Sequence, residues 1–357
     1  MDFDLTDEQE AFRRVVRDFA EREIAPYAEE WDRQHTFPVD TVRAMGDLGL
    51  FGLPFPEEYG GSDADFTTFC LAVEELGRVD SSMAITLEAG VGLGANPIYT
   101  YGSDEQRARW LPDLCAGQAL AAFGLTEPDG GSDAGATRTR AKLDDATGDW
   151  VINGSKAFIT NSGTPGLIVE PPYRKMGWHA SDTHGLTLQD CRVPEANLLG
   201  SRGAGFKQFL ATLDDGRVAI AALAVGLASA CLEQSVAYCN TRNAFGGAIG
   251  RFQAMAFKCA DLAVAVENAR LLTYKAAWMK DHGRHIRQAA AMAKLYATEA
   301  AVTATREATQ IFGGYGFVDE TPVARFYRDA KILEIGEGTS EIQRLVISRE
   351  LGLPNAT

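Results

Sequence analysis

Two stretches of this chain carry residue types that chemistry could use. The first is Ile335-Gly336-Glu337-Gly338-Thr339-Ser340-Glu341-Ile342-Gln343-Arg344. Ser340 with Gln343 three residues on reads as a capping box opening the last helix. That puts Glu337 on a turn between two glycines, where backbone can come close to a ligand. The positive end of a helix also favours an acid there, so the local residues leave a ligand-directed carboxylate and a plain helix-dipole acid both open. The second stretch is Leu125-Thr126-Glu127-Pro128-Asp129-Gly130-Gly131-Ser132-Asp133-Ala134. Hydroxyls and small residues after a strand can bring backbone N–H groups to a planar, acceptor-rich ligand, although ordinary surface loops share this composition.

Other cofactor signatures are missing. The chain has no G-x-x-x-x-G-K-[ST], no H-E-x-x-H and no G-x-G-x-x-G between a strand and a helix. Gly90-Val91-Gly92-Leu93-Gly94 has the wrong spacing and no preceding strand, so a nicotinamide site is unsupported. His35, His179, His184, His282 and His285 lie mostly in polar contexts and read as surface or internally satisfied residues. Cys70, Cys115, Cys191, Cys231, Cys239 and Cys259 form no C-x-x-C pair, and Met1-Asp2-Phe3-Asp4-Leu5 lacks a charged-then-apolar leader. A reduced, unsecreted protein with no metal centre is expected.

The elements that position these stretches follow from length and periodicity. The 357 residues leave room for two or three domains at roughly 100–200 residues each. A 46% hydrophobic and 23% charged composition excludes disordered and collagen-like chains. With 34 Lys+Arg against 49 Asp+Glu, the net charge of −15 argues against a surface that tracks nucleic-acid phosphates. A small anionic ligand in a local basic pocket stays compatible with it.

From Thr6, which forms a capping box with Gln9, the residues Phe12, Val15, Val16, Phe19 and Ile24 recur at helical spacing, and Pro26 marks a kink or break. Helical patterns return over 42–48, 66–76 and 104–114. Between about 121 and 205 the apolar runs shorten to strand length. Residues 150–160 read as two short strands around an Asn153-Gly154 hairpin turn, with further strands at 167–169 and 186–188. Long helical patterns then cover 209–239, 252–280, 289–311 and 340–351. The longest apolar stretch, 218–232, is shorter than the roughly 20 residues of a membrane span and reads as a buried bundle helix. The fold class is α+β, mainly α: an N-terminal helical domain (1–120), a middle β-barrel-like domain (121–206) and a C-terminal four-helix bundle (207–357).

Taken together, these residues resemble the acyl-CoA dehydrogenases over essentially the whole chain. The matching pieces are Leu125-Thr126-Glu127-Pro128 through Gly131-Ser132-Asp133; Lys156-Ala157-Phe158-Ile159-Thr160-Asn161; Arg242-Asn243-Ala244-Phe245-Gly246 with Gln253; Gln310-Ile311-Phe312-Gly313-Gly314-Tyr315-Gly316; and Glu337-Gly338-Thr339-Ser340. The combination and its order are far more specific than any one piece.

The resemblance implies FAD. It assigns the isoalloxazine ring to Phe123, Leu125, Thr126, Gly131 and Ser132 together with Phe158, Ile159 and Thr160. It assigns the pyrophosphate and adenine end to Arg242, Phe245 and Gln253, with Gln310, Gly313 and Gly314 from a neighbouring subunit, and further contacts to Thr339 and Glu341. Acyl-CoA would lie against Ser132, Asp214, Asp215, Gly216, Arg217 and Gly338; without the resemblance, Arg217 would read as a helix-surface or ion-pair residue. Glu337 then becomes the base that removes a proton beside a thioester carbonyl. A carboxylate is normally too weak for this, but a closed, dehydrated pocket raises its pKa, and the flavin supplies the redox chemistry.

In the isovaleryl and long-chain branches of the family the base comes instead from the bundle helix, at the position of Gly216, which has no side chain to offer. Phe158 stands where many relatives have Trp, and Gly336 where many have Tyr; relatives also carry a longer β segment between Thr164 and Pro165. The expected reaction is α,β-dehydrogenation of a short or branched acyl-CoA to the trans-2-enoyl-CoA. An electron-transferring flavoprotein is the expected acceptor and a homotetramer the expected assembly, with no nucleic acid and no membrane span. The expected location is the bacterial cytoplasm, with a mature mitochondrial matrix form as the alternative. An oxygen-using acyl-CoA oxidase and the DNA-associated branch of the fold are the competing readings.

Overall fold

The computed structural model describes residues 4–161 and 168–354. Helix α1 (Asp7–Phe19) begins at the expected box: Thr6 Oγ1 accepts from Gln9 N at 3.1 Å, and Gln9 Oε1 accepts from Thr6 N at 3.1 Å. Its buried face carries Val16 and Phe19. A π-helical turn over Ala20–Ile24 leads to a break at Pro26, after which α2 (Ala28–Gln34) and α3 (Val39–Asp47) follow. Helix α4 (Phe66–Val79) packs against the C-terminal bundle.

Periodicity missed the next piece. Helix α5 (Ser81–Glu88) is buried at every residue and therefore shows no amphipathic stripe. It runs into a wide π-helical turn, Ala89–Ala95, then α6 (Asn96–Tyr101) and α7 (Asp104–Cys115). The glycines at 90, 92 and 94 thus sit in a helical segment.

Between the two helical parts lies a four-stranded antiparallel sheet in the order β1 (Arg140–Asp144), β2 (Asp149–Thr160), β4 (Thr183–Pro194), β3 (Ile168–Val169), and a small two-stranded ladder of β5 (Asn243–Ala244) and β6 (Gly247–Ala248) follows later in the chain. The expected Asn153-Gly154 hairpin is not there. Strand β2 runs straight through both residues, with an irregularity in its pairing to β4 between Ile152 and Gly154. Asn153 spends its amide across the sheet, donating to Asp190 Oδ1 at 3.0 Å and accepting from Asp190 N at 2.8 Å. The β1–β2 turn falls at 145–148, where Gly148 takes φ +74°. Leu167 and the junction at Thr164–Pro165 lie outside the described residues.

The C-terminal bundle is built on α8 (Gly205–Thr241), with α9 (Gln253–Asp281), α10 (Arg287–Phe312) and, beyond a short α11 (Pro322–Ala330), α12 (Ser340–Glu350). The α8–α10 contact is the most extensive in the molecule. Ala290, Ala293, Ala297, Ala301, Ala304 and Ala308 are all buried, so α10 presents a stripe of methyl groups that lets the two backbones approach closely. Among the described residues α8 alone is long and apolar enough to cross a membrane, and its apolar window is 83% buried inside this fold, as a bundle helix requires.

Candidate active site

Helix α12 starts one residue earlier than expected. Thr339, not Ser340, is its cap, accepting from Ile342 N at 3.3 Å, and Gln343 closes no box. Instead Gln343 Nε2 reaches back to the carbonyls of Glu337 (3.1 Å) and Gly338 (2.9 Å). Buried Lys294 of α10 donates from Nζ to the same Gly338 carbonyl at 2.8 Å. These bonds clamp a turn in which Glu337 has φ +53° and Gly338 φ +95°. For a residue with a side chain, the left-handed region costs of order 1–3 kcal/mol and persists only where surrounding structure enforces it.

The strained turn sends the Glu337 carboxylate inward. Both oxygens are shut off from solvent and receive no N–H or hydroxyl donor, although the backbone side of the residue remains partly exposed. Its neighbour on α8 is Gly216: a Cβ there would lie 2.2 Å from Glu337 Oε2, so the glycine is what lets the carboxylate fit. Burial drives the Glu337 pKa up to about 7, opposed by a hydrogen bond with Glu88 and by the charges of Lys294 and Arg217. Burial also brings Lys294 down to about 8.

The acids beside Gly216 are committed elsewhere. Asp214 pairs with Arg217 at 2.6 Å and with Arg287 at 3.2 Å, while Asp215 meets Lys280 at 2.5 Å and Asn96 at 3.2 Å. Arg217 is both a buried ion-pair residue and a cation whose field reaches Glu337.

Residues 125–134 lie against β2. Ala157 N donates to Thr126 O at 2.9 Å, and Lys156 Nζ donates to Leu125 O at 3.2 Å. Buried Glu127 is the anchor. Burial alone would raise its pKa, but donors from Thr139, Arg138 N at 2.6 Å and Lys156 at 2.9 Å outweigh this and hold it at about 2. Phe158 and Asn161 take φ +60° and +61°; Phe158 turns its ring outward at 66% exposure, whereas Ile159 is buried. Asn161 Nδ2 donates to Thr86 O and Ala121 O, both at 3.4 Å, tying the strand end to α5. Phe123 packs on Phe209 of α8 at 4.6 Å. Gly131 has no neighbour where a Cβ would stand, and Ser132 is exposed. Lys156→Met should take the cation from Glu127 but leave its Arg138 and Thr139 donors, and cost about 1.5–3 kcal/mol, the range for a hydrogen bond to a charged group, read as a lowered midpoint in urea unfolding.

The remaining predicted cofactor residues are not at this site. Arg242 caps α8 at its far end, and Phe245 beyond it is 90% exposed. The Arg242 guanidinium lies 5.7 Å from the Tyr315 ring centre, next to the Gly313-Gly314 segment that ends α10, and no carboxylate pairs with it among the described residues. Gln253 opens α9 on the same side. Gly216 and Arg242 are 26 residues apart, about 39 Å along a helix rising 1.5 Å per residue. Thr339 and Glu341 stay close to Glu337, at the start of α12.

Two site residues escaped the sequence reading. Glu88 is the only Asp, Glu, Lys or Arg between Asp80 and Asp104, which was a usable signal. Lys294 falls on the alanine stripe of α10, four residues after Ala290 and three before Ala297, a spacing that places it on the buried face.

Models of the acyl-CoA dehydrogenase N-terminal, middle and C-terminal domains match residues 6–118, 122–169 and 203–352. The chain is 49% identical to a probable acyl-CoA dehydrogenase, YngJ, of Bacillus subtilis, over 98% of this chain and all of that protein. That alignment runs over 381 positions, more than this chain has residues, so the relative carries sequence that is missing here. It is 42% identical to the mitochondrial short-chain specific acyl-CoA dehydrogenase of mouse, covering 98% of this chain and 91% of that one. Among solved structures, butyryl-CoA dehydrogenase of Megasphaera elsdenii superposes with a TM-score of 0.95 at 41% identity, over 98% of this chain and 100% of that one. The chain therefore belongs to the acyl-CoA dehydrogenase family of oxidoreductases.

Proposed function

We propose that this chain dehydrogenates a short or branched acyl-CoA between its α and β carbons, giving the trans-2-enoyl-CoA, with Glu337 as the base. The observation that carries this reading is the Glu337 carboxylate itself: buried, without a donor from N–H or hydroxyl, on a strained turn, and facing a helix left bare at Gly216. A pKa near 7 gives a carboxylate the basicity that proton abstraction at neutral pH calls for. The N–H groups of Glu337 and Gly338 donate to no acceptor among the described residues, which suits them to a carbonyl that gains negative charge as the proton leaves. Arg217 of α8, held by Asp214, acts on the same space, and Asp214 and Asp215 are assigned to the substrate side with it.

FAD is the cofactor of the family, and a relative from Bacillus anthracis is solved with it at 32% identity. The residues here suit it: an outward apolar ring at Phe158 for a planar group, and an unpaired guanidinium at Arg242 for a pyrophosphate. Bound there, FAD would supply the acceptor for the hydride of the β carbon. The chain's own residues hold the thioester, take the α proton and keep water from the base.

The 39 Å between base and Arg242 exceeds the reach of one dinucleotide. This supports an assembly in which Arg242, Phe245, Gln253 and residues 310–314 serve a site on another copy, within a homotetramer. Exposed Phe245, Phe257, Val264 and Phe317 give such an assembly apolar surface to cover. Ser132 and Gly338 are assigned to the substrate, and the divisions between domains to 120/121 and 206/207. A solved chain from work on the electron transferring flavoprotein of Acidaminococcus fermentans, 42% identical with a TM-score of 0.96, supports that class of acceptor. A cytoplasmic location accords with the bacterial relatives.

The test is anaerobic bleaching of the bound flavin by a panel of butyryl-, isobutyryl-, 2-methylbutyryl-, isovaleryl- and glutaryl-CoA. Bleaching within the turnover time by a short or branched member, followed by slow reoxidation in air, is expected. Bleaching by none would sink the reading, and rapid reoxidation by oxygen would turn it into an oxidase. Gly336 justifies including branched groups, since a Cβ there would meet nothing closer than Ile332 O at 3.5 Å.

A further inference from the structure

Glu88 is the one buried acid near the site that the reaction as described leaves without a task. It ends α5, is 0% exposed, and neither of its oxygens meets an N–H or hydroxyl donor. What it faces is the carboxyl of Glu337, near enough for each acid to act on the other's ionisation and for a hydrogen bond between them. Two carboxyl groups can form such a bond only if one of them carries a proton. The fold makes room for the contact on both sides: a Cβ at Gly216 would strike Glu337 Oε2, and a Cβ at Gly92 would stand 2.9 Å from Glu88 Oε1.

The surrounding charges decide which acid keeps the proton. From α8 come Arg217 and its partner Asp214; from α10 comes Lys294; the turn before α12 supplies Glu337. Arg217 and Lys294 both act on Glu337 and favour its charged form. On the side of α5 and the π-helical turn no cation among the described residues acts on Glu88; burial and the Glu337 charge both disfavour its ionisation. Two residues further along the chain, the space beside Gly90 is bounded by the ring of Phe51 and the amide of Asn161.

We propose that Glu88 is a positioning residue: a neutral carboxyl whose O–H donates to the Glu337 carboxylate, holding the base in place and stabilising its charged form before substrate arrives. This rests on Glu337 being the base. Like charges on adjacent buried carboxyls do not readily coexist, so the pair keeps one proton above the Glu337 pKa of about 7 and takes up a second below it. When Glu337 takes the substrate proton, both acids are neutral and the O–H of Glu88 no longer faces a negative charge. The pair returns to one proton when the α proton leaves to solvent after product release.

The test uses the FAD-loaded enzyme and two readouts. In isotope-edited infrared spectra of the substrate-free protein with labelled glutamate at pH 9, where a Glu337 with a pKa of about 7 is ionised, a protonated-carboxyl band should vanish in Glu88→Gln and persist, shifted, in Glu337→Gln. Loss of the band in Glu337→Gln alone would place the proton on the wrong acid and overturn the proposal. In kcat/KM profiles, Glu88→Leu removes the donor and should move the acid limb up by about one pH unit, a tenfold change in the proton affinity of the base. Glu88→Gln keeps an N–H donor and should return the limb to its wild-type position. An unmoved limb in Glu88→Leu, or the same shift in Glu88→Gln, would mean a packing role only. If Glu88→Leu fails to fold, the infrared comparison of the two Gln variants decides alone. Activity surviving in Glu337→Gln would remove the base assignment instead, and the band would still report whether the two acids share a proton.

Discussion

Glu337→Gln should lose dehydrogenation by about a hundredfold or more while retaining FAD and binding acyl-CoA, because the amide keeps the shape and removes the basicity. The same variant should gain stability at alkaline pH. The folded pKa, about 7, lies above the unfolded carboxylate value, so the folded chain holds a proton that the unfolded chain gives up. The stability from this group is complete below the unfolded pKa and is lost as pH rises through 7, which Gln avoids. Above pH 8 the variant should therefore melt no lower than wild type, whereas at pH 4 the two should agree. A plain helix-dipole acid predicts the reverse: about 0.3–1 kcal/mol of stability lost and catalysis nearly untouched. In the wild type, kcat/KM should fall as pH drops through about 7, following protonation of the base. Turnover by the Gln variant within a few-fold of wild type would place the base elsewhere.

What made the fold readable was local and periodic. The Thr6–Gln9 box, the apolar spacing through Phe19 and the long patterns of α8, α9 and α10 each combine a start signal with a buried face. The failures share a cause, since each hinged on a tertiary neighbour. Asn153-Gly154 has the composition of a hairpin turn, but cross-strand bonds to Asp190 make it the middle of a strand. Helix α5 is buried all round, so hydrophobic periodicity had no contrast to read. At the site, Glu337 could be singled out because glycines flank it, but its left-handed backbone could not: that conformation is enforced by Lys294, 43 residues away in sequence, and by Gln343. Glu88 was passed over although it is an isolated acid in an apolar stretch, and that signal would not have named its partner.

Arg242→Ala should release FAD on gel filtration while leaving the helical circular dichroism in place. The side chain is exposed, its guanidinium faces only the Tyr315 ring among the described residues, and no buried charge is stranded by removing it. A charge-assisted hydrogen bond is worth about 1.5–3 kcal/mol, so FAD affinity should fall roughly tenfold to a hundredfold. Arg242→Lys should recover part of this, since it restores the charge but not the planar fork that meets two phosphate oxygens at once. The 39 Å between this residue and the base adds a sharper consequence. If Arg242 serves the site of another copy, a chain lacking Arg242 and a chain lacking the base can mend each other. Arg242→Ala and Glu337→Gln, each nearly inactive alone, should regain activity when co-expressed. In a mixed pair, the Arg242→Ala chain supplies an intact base and its Glu337→Gln neighbour supplies an intact arginine. With random pairing about a quarter of wild-type activity should return, because half the pairs are mixed and each holds one complete site of two. Mixtures no more active than their separate components would mean that Arg242 and Glu337 act on one flavin within one chain, which the length of α8 opposes.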